Sequence, residues 1–159
     1  MFAYRDHILF RWDTFSEVHD ESKKKKRPNF IICTSDGIEV GCGEIKLSDT
    51  NFSDVEEDRC RAPEHLKKQL YKRLQVASEE MELLMLGFFI FGEELELSKM
   101  EFKEGRYEYS IIKLLKLPAM RATFQHMDES LEFLLEFFDM IKSTVAEKNG
   151  SVKPTISFE

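Results

Sequence analysis

Glu44 and Lys46 are the two residues whose types and spacing could do chemistry together. On a strand, alternate side chains share a face, so this carboxylate and this ammonium would project side by side. Such a pair at the end of a β-hairpin could hold a divalent metal and position a water. The surrounding sequence supplies the hairpin. An apolar run, Phe30-Ile31-Ile32-Cys33-Thr34, meets the turn pair Asp36-Gly37, and a second run leads into Glu44-Ile45-Lys46. Asp-Gly between two such runs is a strong short-range hairpin signal, here over 29–47.

Other elements must position that pair. Ile8, Trp12, Phe15 and Val18 or His19 recur at three-to-four spacing, which predicts an amphipathic helix over 2–20. Lys23-Lys24-Lys25-Lys26-Arg27 then reads as solvated loop. The polar, acidic stretch from Ser48 to Asp58 reads as a surface connector. From about Pro63 the pattern is helical, with Leu66, Leu70, Leu74, Ala77 and Met81 in one stripe and Pro63 suited to the first turn. Leu84 to Phe91 is continuously apolar, as a strand buried on both faces would be. Leu95 to Phe102 alternates like a half-exposed strand. Tyr107 to Ile112 predicts a third strand, running on towards Leu117 until Pro118 stops it. Asp128 to Ala146 closes as an amphipathic helix through Leu131, Leu134, Leu135, Phe138, Ile141 and Val145. The expected fold is therefore α/β: one domain over 1–150, with a mixed, largely meandering sheet flanked by helices and a tail over 151–159.

The chain has 159 residues, 42% of them hydrophobic, which suits one sizeable core and not two. The net charge of −7 opposes nucleic acid overall, so any affinity for it must come from local basic clusters at 23–27 and 67–73. Cys33, Cys42 and Cys60 lack metal-type spacing and leave an odd count, and Cys33 and Cys42 read as small buried thiols. The longest apolar run, Leu83 to Phe91, is too short to span a bilayer. An intracellular, reducing compartment is expected, and the run Lys23–Arg27 also reads as a nuclear localisation signal. His7, His19, His65 and His126 are scattered without ligand or triad spacing.

Pro28-Asn29 followed by Glu44-x-Lys46 resembles the PD-(D/E)xK, or restriction-endonuclease-like, nuclease superfamily. There a Pro-Asp pair precedes an acid-x-Lys triplet on the adjacent strand. Asn29 departs from the pattern, standing where aspartate is expected. The chain also resembles a group of uncharacterised fungal proteins that look like restriction-endonuclease-type domains associated with mobile elements. That likeness runs through Gly41-Cys42-Gly43-Glu44-Ile45-Lys46, Glu57-Asp58-Arg59-Cys60-Arg61, Leu66-Lys67-Lys68-Gln69-Leu70, Tyr107-Glu108-Tyr109-Ser110 and Leu117-Pro118.

The resemblance implies a core of helix, three strands, helix and strand. It also implies a metal-dependent nuclease using Mg²⁺ or Mn²⁺ on DNA or RNA. Glu44 would be the main metal ligand, Asn29 would stand at the second ligand position, and Glu17 on the first helix would add an acid. Asp36 and Glu39 are further acids of the hairpin, with Asp36 better suited to its turn. Lys46 would act on the attacking water or the phosphate, and Gln69 would line the site. Lys23, Lys24, Lys25, Lys26, Arg27, Lys68 and Lys72 would contact phosphates, with Arg73 extending that helical stripe. Each residue also has a plainer role: Glu44 as a buried acid paired to Lys46, Lys46 as an edge lysine, Gln69 and Lys68 as a solvated helix face. Two functions follow. One is phosphodiester hydrolysis weakened by Asn29, and the other is an inactive nuclease-fold module that binds nucleic acid or protein. Convergence of Asn29, Glu44 and Lys46 in one cleft beside the first helix is the test of the arrangement.

Overall fold

A computed structural model describes residues 8–12, 28–34, 37–77, 80–118 and 121–145. Six strands form one mixed sheet in the order of the sequence. They are β1 (Ile8–Trp12), β2 (Phe30–Thr34), β3 (Glu39–Lys46), β4 (Leu84–Phe91), β5 (Glu94–Lys103) and β6 (Arg106–Lys116). All neighbours run antiparallel except β3 and β4, which are parallel and joined by helix α1 (Phe52–Leu74). A parallel pair needs such a crossover, because a tight turn cannot return the chain to the same end. Helix α2 (Met127–Ser143) follows β6.

The hairpin and the three-strand meander follow the hydrophobic pattern. Glu104 and Gly105 both have positive φ at the β5–β6 turn, at 48° and 79°. That is the twist a two-residue hairpin loop requires, and glycine reaches it without a Cβ penalty. A bulge between Ile32 and Cys33 leaves Val40 as an extra residue on β3. Glu39 and Cys42 therefore lie towards α1, whereas Val40 joins the opposite core.

Four expectations are corrected. Residues 8–12 are a strand paired to β2, not part of a helix over 2–20. Trp12 and Phe10 set their rings 5.0 and 5.9 Å from Phe30, so tertiary packing on a strand face overrides the local spacing. Helix α1 begins at Phe52, not near Pro63. The Asn51 side chain caps it by accepting from Ser53 N, and Asp54 in the first turn suits the helix dipole. Pro63 thus sits midway along α1, and its missing N–H deprives the Arg59 carbonyl of the usual donor. The helix ends at Leu74, leaving Ala77 and Met81 outside it. Third, β5 is not half-exposed, since Leu95, Glu96, Leu97 and Ser98 are all buried. In α2, Phe137 and Ile141 face the core while Leu131 and Leu135 stay exposed, so the buried stripe is rotated from the expected one.

The two faces of the sheet carry separate cores. Phe30, Ile32, Val40, Leu86, Leu95, Leu97 and Leu115 pack with Phe137 and Ile141 of α2. On the other face Cys42, Met85 and Met100 pack with Leu66 and Leu70 of α1. Gly87 permits the close seating of α1, because a Cβ there would lie 2.8 Å from Leu66 Cδ1 and 2.4 Å from Ser98 Oγ. The helices meet at one end through Arg73. Its guanidinium donates to the carbonyls of Leu84 (2.8 Å) and Thr144, the latter capping α2. Burial pushes the Arg73 pKa down to about 10, against the opposing charge of Glu82.

Candidate functional site

Asn29 precedes β2, and Glu44 and Lys46 end β3, so the antiparallel register brings them together. The Asn29 N–H donates to Glu44 Oε2 (3.0 Å), and Ile45 N donates back to Asn29 Oδ1 (2.6 Å). This reciprocal staple fixes the Glu44 side chain against the start of β2. Lys46 Nζ lies 3.1 Å from Glu44 Oε1 and 2.7 Å from Asp58 Oδ2, the latter on α1. Arg61 continues the chain of charges, with Nη1 3.1 Å from Asp58 Oδ1 and a second contact to Glu57.

These groups line a cleft of about 490 Å³ between the ends of β2, β3 and β4 and one side of α1. Asp54, Asp58, Arg61 and His65 line it from the helix at steps of three or four, hence from one stripe. Lys46 is the central cation, its ammonium resting between two carboxylates. Burial would lower its pKa, but the bonds and charges of Asp58 and Glu44 raise it. Glu44 is also held above the ordinary carboxylate range. Burial dominates there, opposed by Lys46 and the Asn29 N–H and assisted by the charge of Asp58. Cys42 lines the same cleft, but burial pushes its thiol far up, so it is no thiolate nucleophile.

Asn29, Glu44 and Lys46 therefore share one cleft, although its helical wall is α1 and not a helix over 2–20. Gln69 is not brought to it. Its side chain is buried, with Nε2 donating to Glu39 Oε2 at 2.9 Å and Oε1 without a hydrogen-bond partner among the described residues. Glu39 starts β3 and Glu44 nears its end, five positions or roughly 17 Å away along the strand. Lys68 and Lys72 are exposed on α1, ten and fourteen residues past Asp58, or about 15 and 21 Å along the axis. Glu17, Lys23, Lys24, Lys25, Lys26 and Arg27 lie outside the described residues, as do His7, His19 and Asp36.

Asp58 is the site residue that the sequence reading missed, together with Asp54, Arg61 and His65. All four belong to α1, whose first part is polar and acidic enough to resemble a connector. Asn51 before Ser53-Asp54 was the available signal. With the helix begun there, positions 54, 58, 61 and 65 fall on one face.

Glu44 and Asp58 supply carboxylate oxygens, the donor type that Mg²⁺ and Mn²⁺ take. Among the described residues no three Asp, Glu, His or Cys side chains gather as a cage. Glu44 and Asp58 nevertheless reach the same point, where Lys46 Nζ sits. Mg²⁺ commonly takes one or two carboxylates and completes its shell with waters and substrate phosphate oxygens. Asn29 Oδ1 adds an uncharged oxygen beside them, one lone pair of which serves Ile45 N. No described helix is long and apolar enough to cross a membrane. No family model, curated protein or solved structure matches the chain.

Proposed function

We propose that this chain is a nuclease-type domain that hydrolyses phosphodiester bonds with Mg²⁺ or Mn²⁺, and that Asn29 weakens it. The observation that carries this reading is the meeting of Asn29, Glu44, Lys46 and Asp58 at one cleft. The strand order supports it too. A three-strand meander, a crossover helix and a parallel fourth strand are in keeping with the later part of the core that the PD-(D/E)xK resemblance implies, whose leading helix has no counterpart among the described residues. Glu44 and Asp58 would hold the metal, which when bound supplies charge neutralisation and an activated water. Lys46 offers a fixed positive charge to a phosphate oxygen, at the place where its carboxylate partners now neutralise it. Asn29 keeps the β2–β3 staple that an aspartate would also make, but brings no negative charge to the metal.

Cleavage of single- and double-stranded substrates in Mn²⁺ tests the reading. Weak turnover is expected, raised at least tenfold by Asn29→Asp and abolished by Glu44→Ala or Lys46→Ala, because such groups act as a unit. Robust turnover surviving Glu44→Ala would place the chemistry elsewhere. A second reading, an inactive binding module, is favoured by one feature. Glu44, Lys46, Asp58 and Arg61 satisfy one another's charges in a closed series. Binding without turnover, even in Asn29→Asp, would select it.

A further inference from the structure

The second half of α1 carries a surface that the cleft chemistry does not use. The cleft-lining stripe of Asp54, Asp58, Arg61 and His65 continues at the same helical steps into Lys68 and Lys72. Acids crowd the first half of the helix (Asp54, Glu56, Glu57, Asp58), and exposed cations crowd the second (Lys67, Lys68, Lys72), whereas Arg73 is buried. Compensation of the helix dipole accounts for cations in the last turn only, within reach of Lys72 and Arg73. It does not account for Tyr71, a residue 58% exposed next to Lys67, Lys68 and Lys72 on the helix. A second ring stands beside them, since Lys67 Nζ lies 5.2 Å from the centroid of Tyr107.

We infer that this half of α1 is a single-strand nucleic-acid track, with Tyr71 as a base-stacking platform and Lys68 and Lys72 as phosphate contacts. The inference rests on the proposed cleft chemistry only in its direction, a strand leading along α1 towards Asp58. Cations at helical repeats neutralise successive phosphates, and an exposed aromatic face takes any base without reading its edge. In a chain of net charge −7, a concentrated basic surface has an anionic partner as its complement. An unpaired base is what an exposed tyrosine adds to that choice, because a duplex keeps its bases stacked internally.

The experiment measures binding of a fluorescent oligothymidylate of about twelve nucleotides, its duplex form and heparin, across a salt series without divalent metal. The full chain should prefer the single strand to both competitors. Tyr71→Ala should weaken that binding by about fivefold to a hundredfold while Tyr71→Phe restores it. Lys68→Ala with Lys72→Ala should reduce the salt slope by about 1.4, at about 0.7 per phosphate on a single strand. Thermal melts of the same variants should match the parent, because all three side chains are exposed. Equal affinity for heparin and oligothymidylate, or Tyr71→Ala binding like the parent, would overturn the track. Glu44-dependent cleavage of a small phosphodiester by a chain that binds no oligothymidylate at low salt would overturn it while leaving the proposed function standing. Track binding without any Glu44-dependent cleavage would do the reverse.

Discussion

The two faces of the sheet bury different chemistry. Beneath α2 the core is built from large apolar side chains, among them Phe30, Ile32, Leu86, Leu95, Leu97 and Ile141. Beneath α1 the apolar cluster is smaller, and buried polar groups stand beside it: Gln69, Arg73, Glu96 and Ser98. Glu96 is tolerated there because Arg59 Nε lies 3.4 Å from it and the Tyr109 hydroxyl donates to it at 3.3 Å. Apolar area removed from water stabilises by about 25 cal/mol per Å², whereas buried polar groups do little better than offset their own desolvation. One face thus rests on apolar burial, and the other on polar groups that must be satisfied internally.

The contrast can be broken most strongly from the α2 side. Leu86→Ala should lower unfolding free energy by about 3 kcal/mol in urea titrations, with no dependence on Mn²⁺. A smaller loss, about 1–2 kcal/mol, is expected from Lys46→Met, which leaves the carboxylates of Glu44 and Asp58 facing each other. Mn²⁺ should raise the Tm of that variant more than that of the parent, since the cation would take the ammonium's place. Equal metal responses in the two proteins would mean that the carboxylates are not a cation site.

The smallest effect concerns pH. Glu44 is raised above its ordinary value, so the folded state holds this proton more tightly than the unfolded chain. Its contribution to stability is therefore fully present below the ordinary carboxylate pKa and is lost as pH rises through the raised value. Glu44→Gln should flatten the profile of denaturation midpoints just above the ordinary carboxylate pKa, where the raised group gives up its proton. A steeper profile in the variant would contradict burial as the dominant cause. Substitutions beneath α2 should leave that profile unchanged.

Much of this arrangement was legible from patterns of period two. The hairpin of β2 and β3, the strand β6 and the pairing of Glu44 with Lys46 follow from alternation and turn chemistry, β4 from its continuous apolar run, and β5 as a strand though not in its burial. β1 was not legible, because Ile8 and Trp12 are four residues apart. That spacing puts them on one side of a helix and equally on one side of a strand, and only the rings around Phe30 decide it. The start of α1 was hidden by its acids, which mark a loop when counted and a first turn when Asn51 is seen as a cap. Gln69 was misplaced for a different reason. Helical spacing gives its height on α1 but not which strand end it meets, and the bulge at Val40 is what turns Glu39 towards it.

Arg73 sets an order on how the chain can be completed during synthesis. Its carbonyl partner at Thr144 lies 71 residues later, so a nascent chain carries α1 and the start of β4 long before that bond can form. Until Thr144 emerges, seating α1 fully would bury a guanidinium short of a partner, which is strongly unfavourable. The cleft beside α1 is thus finished only when the last turn of α2 arrives. A chain stopped at residue 140 would contain every cleft residue and still lack the group that lets their helix settle.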